Sequence, residues 1–95
     1  MATKITTTTS KPAEKAFYLA ATDTRYEDLV RALPGFVSYS KSHPDENTRV
    51  QEIVFETHDH YVNYADFSNT NEMMLDNRNY NASNGILFSI ELAEI

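Results

Sequence analysis

Glu56-Thr-His-Asp-His60 is the densest run of metal-capable and proton-transferring side chains in this 95-residue chain. In an extended backbone Glu56, His58 and His60 share a face and can hold a divalent cation together; in a helix the two histidines lie about 200° apart and cannot. Thr57 reads as a helix cap with Asp59 in the first turn, where a carboxylate meets the positive helix end. That start separates the histidines, so the segment reads as a solvated helix start with no resident metal. A general-base histidine stays open, because imidazole titrates near neutral pH, but a base needs an orienting partner that the sequence does not identify. The six tyrosines suit a flat aromatic ligand, and they equally suit half-buried packing with the hydroxyl at the rim, the commoner use of that side chain. Met73, Met74 and Leu75 are consecutive on a helical stretch. At least one must point away from the core, which makes the three a candidate interface.

The elements that must position these residues follow from patterning. Lys4 to Thr9 is almost wholly β-branched and suits a strand, although a modified threonine tract is the other use of such a run. After Pro12, residues 11–21 fit either a helix, through Ala13, Ala16, Phe17 and Ala20, or an extended segment. Thr24-Arg-Tyr-Glu27 matches a capping box, followed by the apolar stripe Tyr26, Leu29, Val30 and Leu33 and a stop at Pro34-Gly35. Phe36 to Ser42 alternates with Val37 and Tyr39 on one face, and Val50 to Glu56 alternates with Gln51, Ile53 and Phe55 together. The turn formers His43 to Thr48 join them as an antiparallel hairpin. A second helical region from Thr57 carries Tyr61, Tyr64 and Ala65 on one face. Asn69, with Glu72 three residues on, can cap a short further helix, and the polar run Asn77 to Ser83 reads as loop or frayed helix. Asn84-Gly85 stops it, and Ile86 to Ile95 is a last strand with Ile86, Phe88, Ile90 and Leu92 on a buried face.

That order, βαββαβ, is the ferredoxin-like α+β arrangement, one domain over residues 1–95 with helices on one face of a four-stranded antiparallel sheet. The opposite sheet face is expected to be apolar and uncovered, so a second copy of the chain is expected to shelter it. A chain this short buries only about 60 to 65% of its unfolded surface, which also favours self-association, as a homodimer or higher oligomer.

Composition excludes several chemistries. There is no cysteine, hence no disulfide, thiolate metal site or cysteine nucleophile. A formal charge of −6 with eight scattered basic residues disfavours nucleic acid. No apolar stretch approaches the roughly 18 residues of a membrane span, and the first ten residues lack a signal-peptide core, so a cytoplasmic protein is expected.

Helix one ending in Ala32-Leu-Pro-Gly-Phe-Val-Ser-Tyr39, the polar hairpin, and Val50-Gln-Glu-Ile-Val-Phe-Glu-Thr57 running into a helix resemble the dimeric α+β barrel proteins typified by antibiotic biosynthesis monooxygenases. The likeness spans residues 24–67 and the final strand. It implies two sheets face to face in a dimer and a ligand pocket in each subunit between helices and sheet, with Tyr39, Phe55, His58, His60, Asn63 and Tyr64 as candidate pocket residues. Members that oxidise aromatic polyketides or degrade haem commonly carry a tryptophan at the end of the third strand or in the helix that follows; here Phe55 stands at the strand end and the chain has no tryptophan. Haem degradation is therefore not expected. The leading expectation is a self-associating binding protein for a protein partner or small apolar ligand, without cofactor. The alternatives are a cofactor-free oxygenase acting on an aromatic substrate in a dry pocket, or a viral accessory or virion protein, suggested by a short chain rich in Thr and Asn.

Overall fold

Four antiparallel strands in the order β2-β3-β1-β4 form the sheet of the computed structural model, which describes residues 1–19 and 24–95, and three helices lie among those residues. The elements are β1 (Thr3–Ser10), α1 (Arg25–Arg31), β2 (Phe36–Asp45), β3 (Thr48–Phe55), α2 (His58–Ser68), α3 (Glu72–Ser83) and β4 (Leu87–Glu94). The central strands β1 and β3 read as the β-branched and alternating runs that patterning predicts, because a strand with neighbours on both sides needs side chains that fit a pleated surface.

Pairing register fixes which residues share the helix-facing side. Phe36, Phe55, Thr3 and Glu94 form one row across the sheet; Tyr39, Ile53, Ile5 and Leu92 form the next. Beyond them come Lys41, Gln51, Thr7 and Ile90, and finally Arg49, Thr9 and Phe88. The surface therefore grades from apolar to polar along β3. Val30 of α1, Tyr64 of α2 and Met74 of α3 close over the apolar end with Ile5, Ile53 and Phe55, and these six form the buried core. Phe55 is fully buried between the ring of Phe36, edge-on at 6.4 Å, and that of Tyr64 at 5.4 Å.

Several local expectations are corrected. Thr24 precedes α1 in helical rather than extended geometry and its side chain makes no cap bond, so the capping box does not form. Glu27 instead accepts from Arg31 one turn on, at 2.6 Å. The hairpin strands run on to Asp45 and resume at Thr48, with the Asp45 carboxylate accepting from the Asn47 amide at 2.8 Å and the Thr48 hydroxyl at 3.2 Å. A bulge between Phe36 and Ser38 puts Tyr39 in the helix-facing rows and leaves Val37 half exposed. Asn71, not Asn69, caps α3, its side chain accepting from the Met74 amide at 3.2 Å. The polar run Asn77 to Ser83 is helical throughout, ending at Asn84 before Gly85 at φ +68°.

Residues 11–18 are turn and irregular backbone, neither helix nor strand; Ala20 and Ala21 lie outside the described residues. Phe17 rests on Arg49 and Tyr18 on Tyr80, and the Tyr80 hydroxyl donates to the Ala16 carbonyl at 2.7 Å, so this segment packs on the helix side.

The two sheet faces also differ from expectation. The face without helices carries Ser38, Ser40, Ser42, Glu52, Lys4, Thr6, Thr8, Ser89 and Glu91 beside Val50 and Val54, so it is largely polar. The uncovered apolar row lies on the other side, on edge strand β4, where Phe88, Ile90 and Leu92 are 49, 53 and 46% exposed. The helices stop short of β4, so the last strand has no face buried within the chain. No helix among the described residues is long and apolar enough to cross a membrane.

Candidate functional site

The polar end of the helix-facing sheet surface is roofed by α2 and α3, and between roof and sheet lies a cleft of about 140 Å³. Its floor is Ile5, Thr7 and Thr9 of β1 with Arg49 and Gln51 of β3. Its roof is Tyr61, Tyr64, Ala65 and Ser68 of α2 with Met74, Asn77, Arg78 and Asn81 of α3, and Tyr26 of α1 closes one end. Phe88 and Ile90 of β4 form the mouth, where a shallower groove lined by Ala82, Ile86 and Leu87 adjoins.

Arg49 sets the electrostatics of this cleft. Alternation along β3 turns it inward on the same face as Gln51, Ile53 and Phe55, and it is 3% exposed. Its guanidinium stacks over the Phe17 ring at 4.7 Å, yet Nε and Nη1 have no hydrogen-bond partner among the described residues. Burial lowers its pKa from the usual value, with the nearby Tyr39 and Tyr26 opposing the shift; guanidinium ionises far above neutrality, so the side chain remains a cation. A buried polar group without a partner costs stability, and a buried charge more. Across the cleft, Asn77 Oδ1 is likewise buried without a partner among the described residues.

The phenols are arranged differently. Tyr26 and Tyr64 share a hydrogen bond of 2.7 Å between their hydroxyls, and the Gln51 amide donates to the Tyr39 hydroxyl at 2.7 Å. Burial pushes all three phenols above their ordinary pKa; the bond to Tyr64 adds to the shift of Tyr26, whereas the bond from Gln51 opposes that of Tyr39. At neutral pH they are neutral hydrogen-bonding groups and not bases. Among the described residues the cleft lining contains no carboxylate and no histidine.

Of the residues that the sequence put forward, Tyr64 lines the cleft and Tyr39 touches it through Gln51. Phe55 lies in the core beneath it. His58 and His60 do not converge: His60 Nδ1 lies 2.8 Å from the Thr57 hydroxyl with its ring against Gly35, while His58 sits near Tyr61 and 3.9 Å from Glu94. No three His, Asp or Glu side chains among the described residues are placed to hold a metal ion. Asn63 is on the exposed side of α2. Met74 is a core residue, Met73 packs against that core and Leu75 is half-buried, so the exposed apolar surface is on β4 instead. Arg49, Gln51, Tyr26, Asn77 and Arg78 were missed. The signal for the first two was present: a charged and an amide side chain at inward positions of an alternating strand.

No protein-family model matches the chain, and no curated protein sequence matches it. Among solved structures it is similar to a mutant of SnoaB, a cofactor-independent oxygenase from Streptomyces nogalater, with a TM-score of 0.73 and 14% sequence identity over 99% of this chain and 92% of the other. The likeness is one of fold: this chain shares the four-stranded antiparallel α+β arrangement of that structure.

Proposed function

We propose that the cleft beneath α2 and α3 binds a small aromatic ligand as its anion, and that the chain promotes oxidation of that anion by molecular oxygen without a resident cofactor. The observation that carries this reading is Arg49, a buried cation with unmet donors in the wall of a cleft that also presents the rings of Tyr26, Tyr61, Tyr64 and Phe88. The shared fold with a cofactor-independent oxygenase supports the choice of chemistry.

Among the described residues the cleft lining has no base at neutral pH, so the ligand's own acidity supplies the anion. A cation in a poorly solvated wall favours an anionic oxygen and lowers the ligand's pKa. The apolar mouth at Phe88 and Ile90 limits the solvent protons that would quench it. For an enolisable aromatic ketone with an activated methylene, loss of a proton gives the enolate, oxygen adds at carbon to give a hydroperoxide, and loss of water leaves a carbonyl. The balance is CH₂ plus O₂ to C=O plus H₂O, with no external reductant. The buried phenols of Tyr26 and Tyr64 serve as hydrogen-bonding groups to the ligand. Self-association belongs to the same reading, since the half-exposed Phe88 and Ile90 form the cleft's mouth, and a second copy over β4 would dry it.

Oxygen uptake with enolisable aromatic ketones, measured in the presence of a chelator, tests this. Saturable uptake that survives the chelator and rises with pH through the ketone's own ionisation is expected, unchanged in His58→Gln and His60→Gln. Absence of both binding and uptake across the ketones would refute it.

A further inference from the structure

We infer that the preferred ligand is a single aromatic ring bearing a carboxylate and a second group able to donate a hydrogen bond, of the hydroxybenzoate type, an inference that rests on the small-molecule reading of the cleft. Size comes first. The space between roof and floor is about 140 Å³, close to the roughly 150 Å³ apolar cavity that takes up one benzene. One ring fits between roof and floor, and a fused second ring would have to extend out through the mouth.

Charge comes next. Two guanidinium nitrogens of Arg49, Nε and Nη1, have no partner, and no carboxylate lines the cleft to neutralise them, among the described residues. A carboxylate compensates such a cation best, through a charge-assisted hydrogen bond to one of the unmet nitrogens. Arg78, at the rim of the same cleft, adds a second positive charge. A neutral phenol would leave Arg49 buried and uncompensated.

The third requirement is a donor. Asn77 Oδ1, on the opposite wall, is buried and accepts from nothing among the described residues. A ring hydroxyl or amine would satisfy it. Together the unmet donors on the floor and the unmet acceptor in the roof describe a ligand with an acceptor at one edge and a donor at another.

The experiment is calorimetric titration at pH 7 of the full chain with 3- and 4-hydroxybenzoate, 4-hydroxybenzamide, benzoate and hydroxynaphthoate, backed by saturation-transfer NMR. At least one hydroxybenzoate is expected to bind ten-fold or more tightly than the neutral amide and than the naphthoate, and benzoate is expected to bind more weakly than the hydroxybenzoate. Arg49→Gln should abolish the preference for carboxylate over amide, Asn77→Ala should abolish the preference for hydroxybenzoate over benzoate, and the exposed Arg31→Gln should change neither. Arg49→Met should raise Tm while losing the carboxylate preference, because the unmet charge is held for ligand and not for the fold. Equal affinity for amide and carboxylate, tighter binding of the naphthoate, or an Arg49→Gln variant that keeps the preference would overturn the inference. Oxygen uptake with fused-ring ketones alone would overturn it and leave the oxygenase reading standing. Tight hydroxybenzoate binding without uptake from any ketone would do the reverse.

Discussion

Two tyrosine hydroxyls 2.7 Å apart behind the cleft give the fold an alkaline limit. Burial raises the pKa of both Tyr26 and Tyr64 above the ordinary 10.0, so each holds its proton more tightly folded than unfolded. The stability they confer is whole below about pH 10 and drains away above it, as the unfolded chain ionises while the folded chain resists. Thermal melts in a pH series should therefore be level from neutrality to about pH 9.5 with respect to these groups and fall above it. Tyr26→Phe with Tyr64→Phe should flatten that alkaline fall; an equally steep fall in the double variant would contradict the assignment. Phe55, enclosed by Phe36 and Tyr64, should cost about 3 to 5 kcal/mol when cut to Ala, read by denaturant unfolding. Residue identity was the most misleading guide to the site. His58 and His60 carry the most reactive side chains in the sequence and do ordinary work at a helix start, whereas Arg49 looked like one of several scattered cations. What distinguishes Arg49 is its parity with Ile53 and Phe55 on β3, a property of position and not of residue type.

Helix ends make the element scale testable, because local signals succeeded at some and failed at others. Thr57 accepts from the His60 amide at 3.3 Å and Asn71 from the Met74 amide at 3.2 Å, so Thr57→Ala and Asn71→Ala should each cost about 1 kcal/mol. Thr24→Ala should cost almost nothing, since Thr24 makes no side-chain cap bond. Matching losses in all three would show that the caps do not matter individually. Gly35 carries a stricter demand: its φ is +77° and a Cβ there would collide with the His60 ring, so Gly35→Ala is strained twice and should lower Tm more than either cap variant. Strand β3 and the start of α2 were legible because their periodicity and cap are written in neighbouring residues. The later half of α3 was not, since Asn77 to Ser83 shows no apolar stripe. Its order comes from contacts far along the chain, such as Tyr80 bonding to the Ala16 carbonyl, and no window of sequence contains those.

For the molecule as a whole, the ferredoxin-like order could be read from the sequence, but the surface that the helices leave open could not. Pattern alone placed an apolar face on the bare side of the sheet. Register instead puts polar side chains there, and leaves Phe88, Ile90 and Leu92 about half exposed on the helix side of β4. Exposed apolar rows of this kind mark contact surfaces. Light scattering is expected to find more than one chain per particle, with Phe88→Ser and Ile90→Ser together shifting it toward the single chain. A wild-type monomer at high concentration would contradict that.

The claim on which the rest depends is that a ligand meets Arg49 inside the cleft, and the Nε–H of that residue reports it directly. In a ¹H–¹⁵N spectrum of the labelled chain, assigned by comparison with Arg49→Gln, addition of a hydroxybenzoate should shift the Arg49 Nε–H signal and slow its exchange with water, leaving the Nε–H of Arg31 unmoved. Shifts confined to surface groups, with Arg49 untouched at saturating ligand, would mean that the cleft is packing space and the ligand goes elsewhere.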